Sequence, residues 1–416
     1  MKPFTSPPEK YYQVLLKLLG KCEEFEGDPT QLWGGEKFEG STKENFPRII
    51  HWFCAYTLPH VTSLLLSLPE LFSDPVTLCD QRNRDAVVLS KRQCAALLAM
   101  SFFCANPVSC APRPYDDFQS IVVFSTWLEC PSFCNKAKLF MLMNYFERTR
   151  LQIKDENFEI HRLQLSKPVS LASWMKREEV LSDFQVRDSG GITETCGGDV
   201  LHVDFANKYI GGGVLGMGAV QEEIMFSVAP ELLTSLMFCS VMRDNEALLL
   251  INADKYAQHT GYNTGLNFAG DFVDDSHTCR VAIDATCFGW GTGTDTQWTQ
   301  QNVLRELNKA FVGFDNEFPT KGSSIATGNW GCGAFGGNIQ LKSLLQWCAA
   351  SACGRPVQYY TFKDRNCKGL GEVVEVVMES GVTVGTLMQT VLSYCEFKSS
   401  GKVKTDLFEF VKQSVG

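Results

Sequence analysis

The sequence predicts an α/β protein with an N-terminal helical accessory domain. Three observations predict it. Through about residue 155 the apolar residues recur at helical spacing and prolines punctuate the connections. Beyond that point short strand-like runs alternate with helical ones. Most glycines of this second part fall between a strand-like and a helical run. The expected division is therefore a helical domain over residues 1–155 and an α/β domain over residues 156–416.

In the first part, Tyr11 to Leu19 places Val14, Leu15, Leu18 and Leu19 at helical spacing. Ser90 to Ala105 and Lys136 to Arg148 are long and apolar enough to be packed helices. No catalytic motif appears here, and the segment reads as a scaffold. In the second part the expected strands are Phe158–Leu163, Val200–Phe205, Ala247–Ile251, Arg280–Ala285, Ser324–Thr327 and Val357–Phe362. The expected helices are Val220–Ser227, Pro230–Met242, Thr299–Phe311, Ile339–Ala352 and Val384–Phe397.

Composition excludes several classes. The 416 residues are 44% hydrophobic and 20% charged, which excludes a disordered, collagen-like or coiled-coil chain. A net charge of −9, with no three consecutive basic residues, argues against binding nucleic acid by phosphate neutralisation. The N-terminus MKPFTSPPEK lacks a signal pattern, and the densest apolar stretch, Cys94 to Ala105, is too short for a bilayer. The expectation is a soluble intracellular protein with reduced thiols and no membrane partner. Of the 17 cysteines, Cys130 and Cys134 have no second pair at zinc-finger spacing, so no zinc is expected. The six histidines are scattered; only His202 lies near the strand that leads into the loop described next.

Two glycine loops carry the chemistry. The first follows Val200–Phe205 and runs from Asn207 through Gly211-Gly212-Gly213 to Gly218, with a helix starting near Gln221. The second follows Ser324–Thr327 and runs from Gly328 to Asn338 before another helix. Such loops bring backbone N–H groups to phosphate oxygens, and the helix N-terminus adds partial positive charge. If the two strands are parallel neighbours, both loops leave the same sheet edge and clamp a diphosphate. Neither loop is a Walker A or a dinucleotide fingerprint.

Gln221-Glu222-Glu223 opens the helix after the first loop. Taken alone, two carboxylates in a first turn are explained by dipole complementarity. The functional reading is acid/base catalysis beside bound phosphates. Consecutive helical residues point about 100° apart, so these two are not expected to face each other as a glycosidase pair does. A helix N-terminus favours the charged carboxylate, so an acid here needs desolvation and an anionic substrate to hold its proton.

Gly211-Gly212-Gly213, seven residues, then Gln221-Glu222-Glu223 resembles the signature of the poly(ADP-ribose) glycohydrolase family. Val203-Asp204-Phe205-Ala206-Asn207 and the stretch from Ala326 to Gly337 fit as well. The similarity covers roughly residues 156 to 400 and extends into the helical part. It implies a macrodomain-like mixed sheet flanked by helices, with a helical accessory domain. It implies hydrolysis of ribose–ribose O-glycosidic bonds in poly(ADP-ribose), without metal or cofactor. Glu223 resembles the catalytic acid/base and Glu222 its neighbour that orients the ribose hydroxyls, with Asp204 and Asn207 supporting the loop and ligand.

By the same resemblance, Gly211, Gly212 and Gly213 pack against the diphosphate and Gln221 belongs to the substrate set. Ile192 and Glu194 match the adenine contact, Tyr262 an aromatic that closes over the ligand, and Phe362 the packing near the adenosine-side ribose. Asn329, Gly331, Gly333, Ala334, Phe335 and Gly336 complete the phosphate clamp. Asn338 stands where family members often carry an acidic residue, and Gly289 to Thr294 has no assignable role beyond a surface turn. The implied partners are poly(ADP-ribose) and ADP-ribosylated proteins as substrate, with no sequence-specific nucleic acid. The implied form is a monomer, working in the DNA damage response in nucleus or cytoplasm. The rival readings are an ADP-ribose reader without turnover, against which Glu222-Glu223 argues, and a metabolic enzyme acting on another nucleotide diphosphate.

Overall fold

The computed structural model describes residues 49–416 apart from 84, 107–121, 130–131, 195–198, 273–277, 290, 319–320 and 403. The expected helix Tyr11 to Leu19 lies outside the described residues. The chain folds as two compact units. One takes the chain up to His161 together with Tyr209–Val241 and Leu250–His277; the other takes Arg162–Lys208, Met242–Leu249 and Thr278–Gly416.

An eight-stranded mixed sheet runs in the order β1-β2-β5-β8-β4-β9-β10-β3. Its strands are β1 (Val87–Ser90), β2 (Asn157–Gln164), β3 (Phe184–Arg187), β4 (Val200–Asp204) and β5 (Glu246–Ile251). They continue with β8 (Cys279–Ala282), β9 (Ser324–Gly328) and β10 (Val357–Tyr360), while β6 (Ala257–Thr260) and β7 (Asn267–Asp271) form a separate antiparallel pair. β1 runs antiparallel to β2, whereas β4 is parallel to both β8 and β9, and β10 to both β9 and β3. Every residue of β4 is buried, the pattern of a central parallel strand covered on both faces.

In the first unit the described chain opens with a helical run, Ile49–Leu66, that includes α1 (Leu58–Leu66) and a π-helical turn at Phe53–Thr57. At 18 residues and mean hydropathy 1.3 it is long and apolar enough to cross a bilayer by length and composition. Here Phe53 packs edge-on against Phe102, and Val61 and Leu64 are buried. The short α2 (Leu68–Leu71) follows. α3 (Lys91–Phe102) starts at a capping box: Ser90 Oγ accepts the Gln93 N–H at 3.1 Å, and Gln93 returns the bond to Ser90 N–H at 2.9 Å. α4 (Ser125–Glu129) precedes α5 (Phe133–Leu151), which Ser132 caps at its start. The middle of α5, Leu139 to Phe146, is buried all round, as expected of a core helix.

α6 (Leu171–Trp174) belongs to the second unit, and α7 (Gln221–Val228) to the first. The helix expected over Pro230–Met242 is interrupted. A 3₁₀ turn at Pro230–Thr234 passes into α8 (Ser235–Phe238) and stops, because Cys239 pairs with Cys79 as an isolated bridge. The remaining helices, all in the second unit, are α9 (Gln300–Phe314), α10 (Ile339–Ala352), α11 (Leu370–Ser380), α12 (Val384–Ser399) and α13 (Leu407–Val415). Strands β1, β3, β6 and β7 and helices α6, α11 and α13 lie outside the sequence expectation. The strand expected to reach Phe362 ends at Tyr360, since Phe362 and Lys363 take left-handed φ of 54° and 57°. The turn expected at Gly289–Thr294 is in part a 3₁₀ helix, Gly291–Trp298.

Candidate active site

β4 and β9 pair in parallel, Leu201 opposite Ile325 and His202 opposite Ala326. Their carboxyl ends therefore open on one sheet edge, the edge at which parallel sheets present loops to ligands. Asp204 ends β4 fully buried, with its carbonyl accepting the Ile283 N–H at 3.2 Å. Asn207, partly buried, follows three residues on.

The first glycine loop, in the first unit, is a series of tight turns. Gly212 N–H donates to Tyr209 O at 3.1 Å, Val214 N–H to Gly211 O at 3.0 Å, and Gly213 O accepts Gly216 and Gly218 at 2.9 and 3.1 Å. Gly211 and Gly212 have φ of 87° and 50°, which non-glycine residues rarely adopt. These turns aim the loop's amides at the start of α7. Gly211 N–H donates to Glu222 Oε1 at 2.6 Å and Gly213 N–H to Glu223 Oε1 at 2.8 Å. Glu223 Oε2 accepts the Val220 N–H at 2.9 Å, the glutamate half of a capping box whose other half valine cannot supply. Bonds of this charge-assisted kind contribute about 1.5–3 kcal/mol each.

Glu222 and Glu223 were expected not to face each other, yet both side chains fold back over the helix start and meet at one glycine. A Cβ on Gly212 would lie 2.6 Å from Glu222 Oε2 and 2.7 Å from Glu223 Oε1. Both glutamates are buried. The physical reason is the loop: its amides draw both carboxylates to the same side, overriding the angular spacing of the helix. Gln221 lies beside them, partly buried. Tyr262 is exposed, its phenol meeting the Gln221 backbone, and the next residue's N–H donates to Ala219 O at 2.8 Å.

A lysine and a tryptophan hold the opposite edge of this loop. Lys138 Nζ, on α5, donates to Val214 O at 3.0 Å and Gly216 O at 2.9 Å, and Trp127 Nε1–H donates to the same Val214 O at 2.9 Å. Lys138 is fully buried, and burial pulls its ammonium down to about 8, against the opposing pull of Cys134 and Glu223. Sequence reasoning missed both residues. Lys138 follows Asn135 and Lys136 at the start of its helical stretch, so the sequence carries no signal that this lysine is buried.

The second glycine loop, in the second unit, is also self-bonded. Trp330 N–H donates to Gly328 O, Cys332 N–H to Asn329 O, Gly336 N–H to Gly333 O and Gly337 N–H to Gly331 O, at 2.7, 3.0, 3.1 and 2.9 Å. Among the described residues, the amides of Gly333, Ala334 and Phe335 donate to no protein acceptor, and Gly333 and Ala334 are exposed. This run is the part of the loop open to an anion. Trp330 anchors the loop, buried with its Nε1–H on Ile283 O at 2.9 Å and the Lys342 ammonium 3.7 Å from its ring centroid. Lys342 pairs with Glu306, which also accepts the Thr286 hydroxyl at 2.7 Å.

Gly289 proves to be part of this seat: Phe288 N–H donates to Phe335 O at 2.9 Å, and Gly289 O occupies the space a Cβ on Gly336 would need. Asn338 caps α10, its side chain accepting Leu341 N–H at 3.0 Å, so an asparagine serves there as well as an acid would. The side chain of Asn329 faces its own unit. Its Oδ1 accepts the buried Tyr359 hydroxyl at 2.9 Å and its Nδ2 donates to Thr361 O at 3.1 Å. Phe362 is exposed, and a Cβ on Gly328 would meet its ring edge at 2.8 Å. Ile192 is buried with Val200, Ala326 and Tyr360, while Glu194 is exposed on the same 3₁₀ turn.

The expected residues thus divide between the units. Gly211, Gly212, Gly213, Gln221, Glu222, Glu223 and Tyr262 fall in the first. Ile192, Glu194, Asp204, Asn207, Asn329, Gly331, Gly333, Ala334, Phe335, Gly336 and Phe362 fall in the second.

Two family models match the chain. Residues 171–369 match the poly(ADP-ribose) glycohydrolase macro-domain fold, and residues 50–162 match the same family's helical domain. Poly(ADP-ribose) glycohydrolase 1 of Arabidopsis thaliana is 29% identical over 453 positions, spanning 86% of this chain and 81% of the relative. Poly(ADP-ribose) glycohydrolases 1 and 2 of Caenorhabditis elegans are each 32% identical, over 74% and 73% of this chain and 40% and 63% of the relatives. With both parts of one family's catalytic region matched in order along most of its length, the chain belongs to the poly(ADP-ribose) glycohydrolase family of glycosidases.

Proposed function

We propose that this chain cleaves the ribose–ribose O-glycosidic bonds of poly(ADP-ribose) and releases ADP-ribose, with Glu223 as the acid/base and no metal. The observation that carries the glutamate's role is the meeting of two buried carboxylates over Gly212, each fixed by a loop amide. Protonated Glu223 donates to the departing ribose 2′-oxygen as the bond from C1 of the neighbouring ribose breaks. The substrate diphosphate and Glu222 stabilise the oxocarbenium ion that develops. Water then adds to C1 and gives its proton to Glu223, which restores the acid. Glu222 meanwhile orients the ribose hydroxyls.

The remaining assignments belong to the same reading. Asp204 and Asn207 support the loop, Ile192 and Glu194 meet the adenine, Tyr262 covers the ligand, and Phe362 packs near the adenosine-side ribose. The open amides at Gly333, Ala334 and Phe335 take phosphate oxygens, with Gly331, Gly336 and Asn329 keeping that loop in shape. The substrate includes ADP-ribosylated proteins, the working form is a monomer, and the place of action is nucleus or cytoplasm. The test is incubation with poly(ADP-ribose) in excess chelator, with thermal-shift assays against ADP-ribose, ATP and NAD. Free ADP-ribose released at an undiminished rate, with stabilisation by ADP-ribose above the other two, is the expected result. Turnover abolished by the chelator would overturn the metal-free mechanism.

A further inference from the structure

We propose that Lys138 is a positioning residue of the hydrolase, holding the carbonyl side of the Gly211–Gly218 loop so that its amide side sets Glu222 and Glu223 for the substrate. The inference rests on the reading of Glu223 as the acid. The loop has two edges. Along one, Gly211 and Gly213 donate to the two glutamates. Along the other, the Lys138 ammonium takes the carbonyls of Val214 and Gly216, and Trp127 shares the first of them. All of these residues lie in the first unit.

Lys138 is 0% exposed, and among the described residues no carboxylate lies within salt-bridge distance of it. A fully buried ammonium costs several kcal/mol unless its environment compensates. A methionine fills similar volume but donates no hydrogen bond, so it would leave Gly216 O without the lysine and Val214 O with Trp127 alone. The loop would then lose the fixed carbonyl edge against which the Gly211 and Gly213 amides are set.

The test compares wild type, Lys138→Met, Lys138→Arg, Trp127→Phe and Glu223→Gln by kcat and KM on poly(ADP-ribose). Lys138→Met is expected to lower kcat by about tenfold or more with KM changed less than about threefold, the signature of a lost transition-state effect. Trp127→Phe removes one of the two donors to Val214 O and leaves Gly216 O bonded, so it is expected to lower kcat less than Lys138→Met does. Lys138→Arg, which keeps donors for the loop carbonyls, is expected to recover part of the lost kcat. A Lys138→Met enzyme with wild-type kcat, beside an inactive Glu223→Gln, would overturn this inference alone. An active Glu223→Gln overturns the acid reading instead. Should Lys138→Met not fold, Lys138→Gln, a milder change that keeps an amide donor, decides: a lowered kcat with KM nearly unchanged is expected, and wild-type kcat overturns the proposal.

Discussion

A methyl group on Gly212 would lie 2.7 Å from Glu223 Oε1, nearer than any real Cβ approaches an oxygen. The residue also has a φ of 50°. Glycine there is set by two independent demands, a left-handed turn and room for two carboxylates. Gly212→Ala is therefore expected to push Glu222 and Glu223 off their amides. Turnover of poly(ADP-ribose) should fall by about 100-fold or more, since displacement of a general acid by about an ångström has that effect. Thermal unfolding should register a loss of about 3–6 kcal/mol, two such bonds at about 1.5–3 kcal/mol each. Near-normal turnover in this variant would contradict the geometry.

Asn329 ties the second glycine loop to the end of β10 through Tyr359 and Thr361. Asn329→Ala leaves the buried Tyr359 hydroxyl without this acceptor, at a cost of about 1–3 kcal/mol. The open amides of Gly333, Ala334 and Phe335 lie four to six residues further on. The variant is expected to weaken ADP-ribose binding in calorimetry while kcat at saturating substrate changes little. A collapse of kcat with unchanged binding would place Asn329 in the chemical step instead.

The thiols provide a test of burial. Cys287 is exposed, whereas Cys94, Cys348 and Cys395 are buried. Burial pushes the Cys94 and Cys348 thiols far up and that of Cys395 to about 12. The thiolate is the reactive form, so brief iodoacetamide treatment of the native protein at pH 8 should label Cys287 and spare these three. Peptide mapping by mass spectrometry reads the outcome. Equal labelling of Cys348 and Cys287 would mean that the α10 core is open.

Acid should loosen the first unit at Glu147. Its Oε2 accepts Thr57 Oγ1 at 2.5 Å, and Arg150 pairs with it at 2.6 Å. These partners outweigh burial and hold the carboxyl below its usual range. A folded-state value below the unfolded one gives stability that is fully present above the unfolded value of 4.5 and is lost as pH falls through the lowered one. Glu147→Gln should therefore lower stability at pH 7 and flatten the fall of stability as pH drops below the unfolded value of 4.5. An unchanged acid slope in denaturant titrations would contradict this.

Much of the fold was legible in the sequence, and the reasons are specific. The β4 and β9 runs are short strand-like runs that lead into glycine loops and then into helical spacing, so strand, loop and helix each left a separate signal. The carboxylates were legible because two acids follow a glycine loop at a helix start. What sequence hid depends on tertiary contact. Cys239 leaves helix because Cys79, 160 residues away, pairs with it. Phe362 and Lys363 turn left-handed after β10 with no glycine to announce it. The convergence of Glu222 and Glu223 arises from loop amides that helix geometry does not include. Lys138 was invisible because a lysine in a helix reads as solvated until the helix is known to be buried.

The most direct test is Glu223→Gln, which keeps the side chain's size and one of its two acceptor oxygens but removes the transferable proton. The variant is expected to bind ADP-ribose within about threefold of wild type and to hydrolyse poly(ADP-ribose) about 10³-fold more slowly. Release of ADP-ribose from the polymer at the wild-type rate would contradict it.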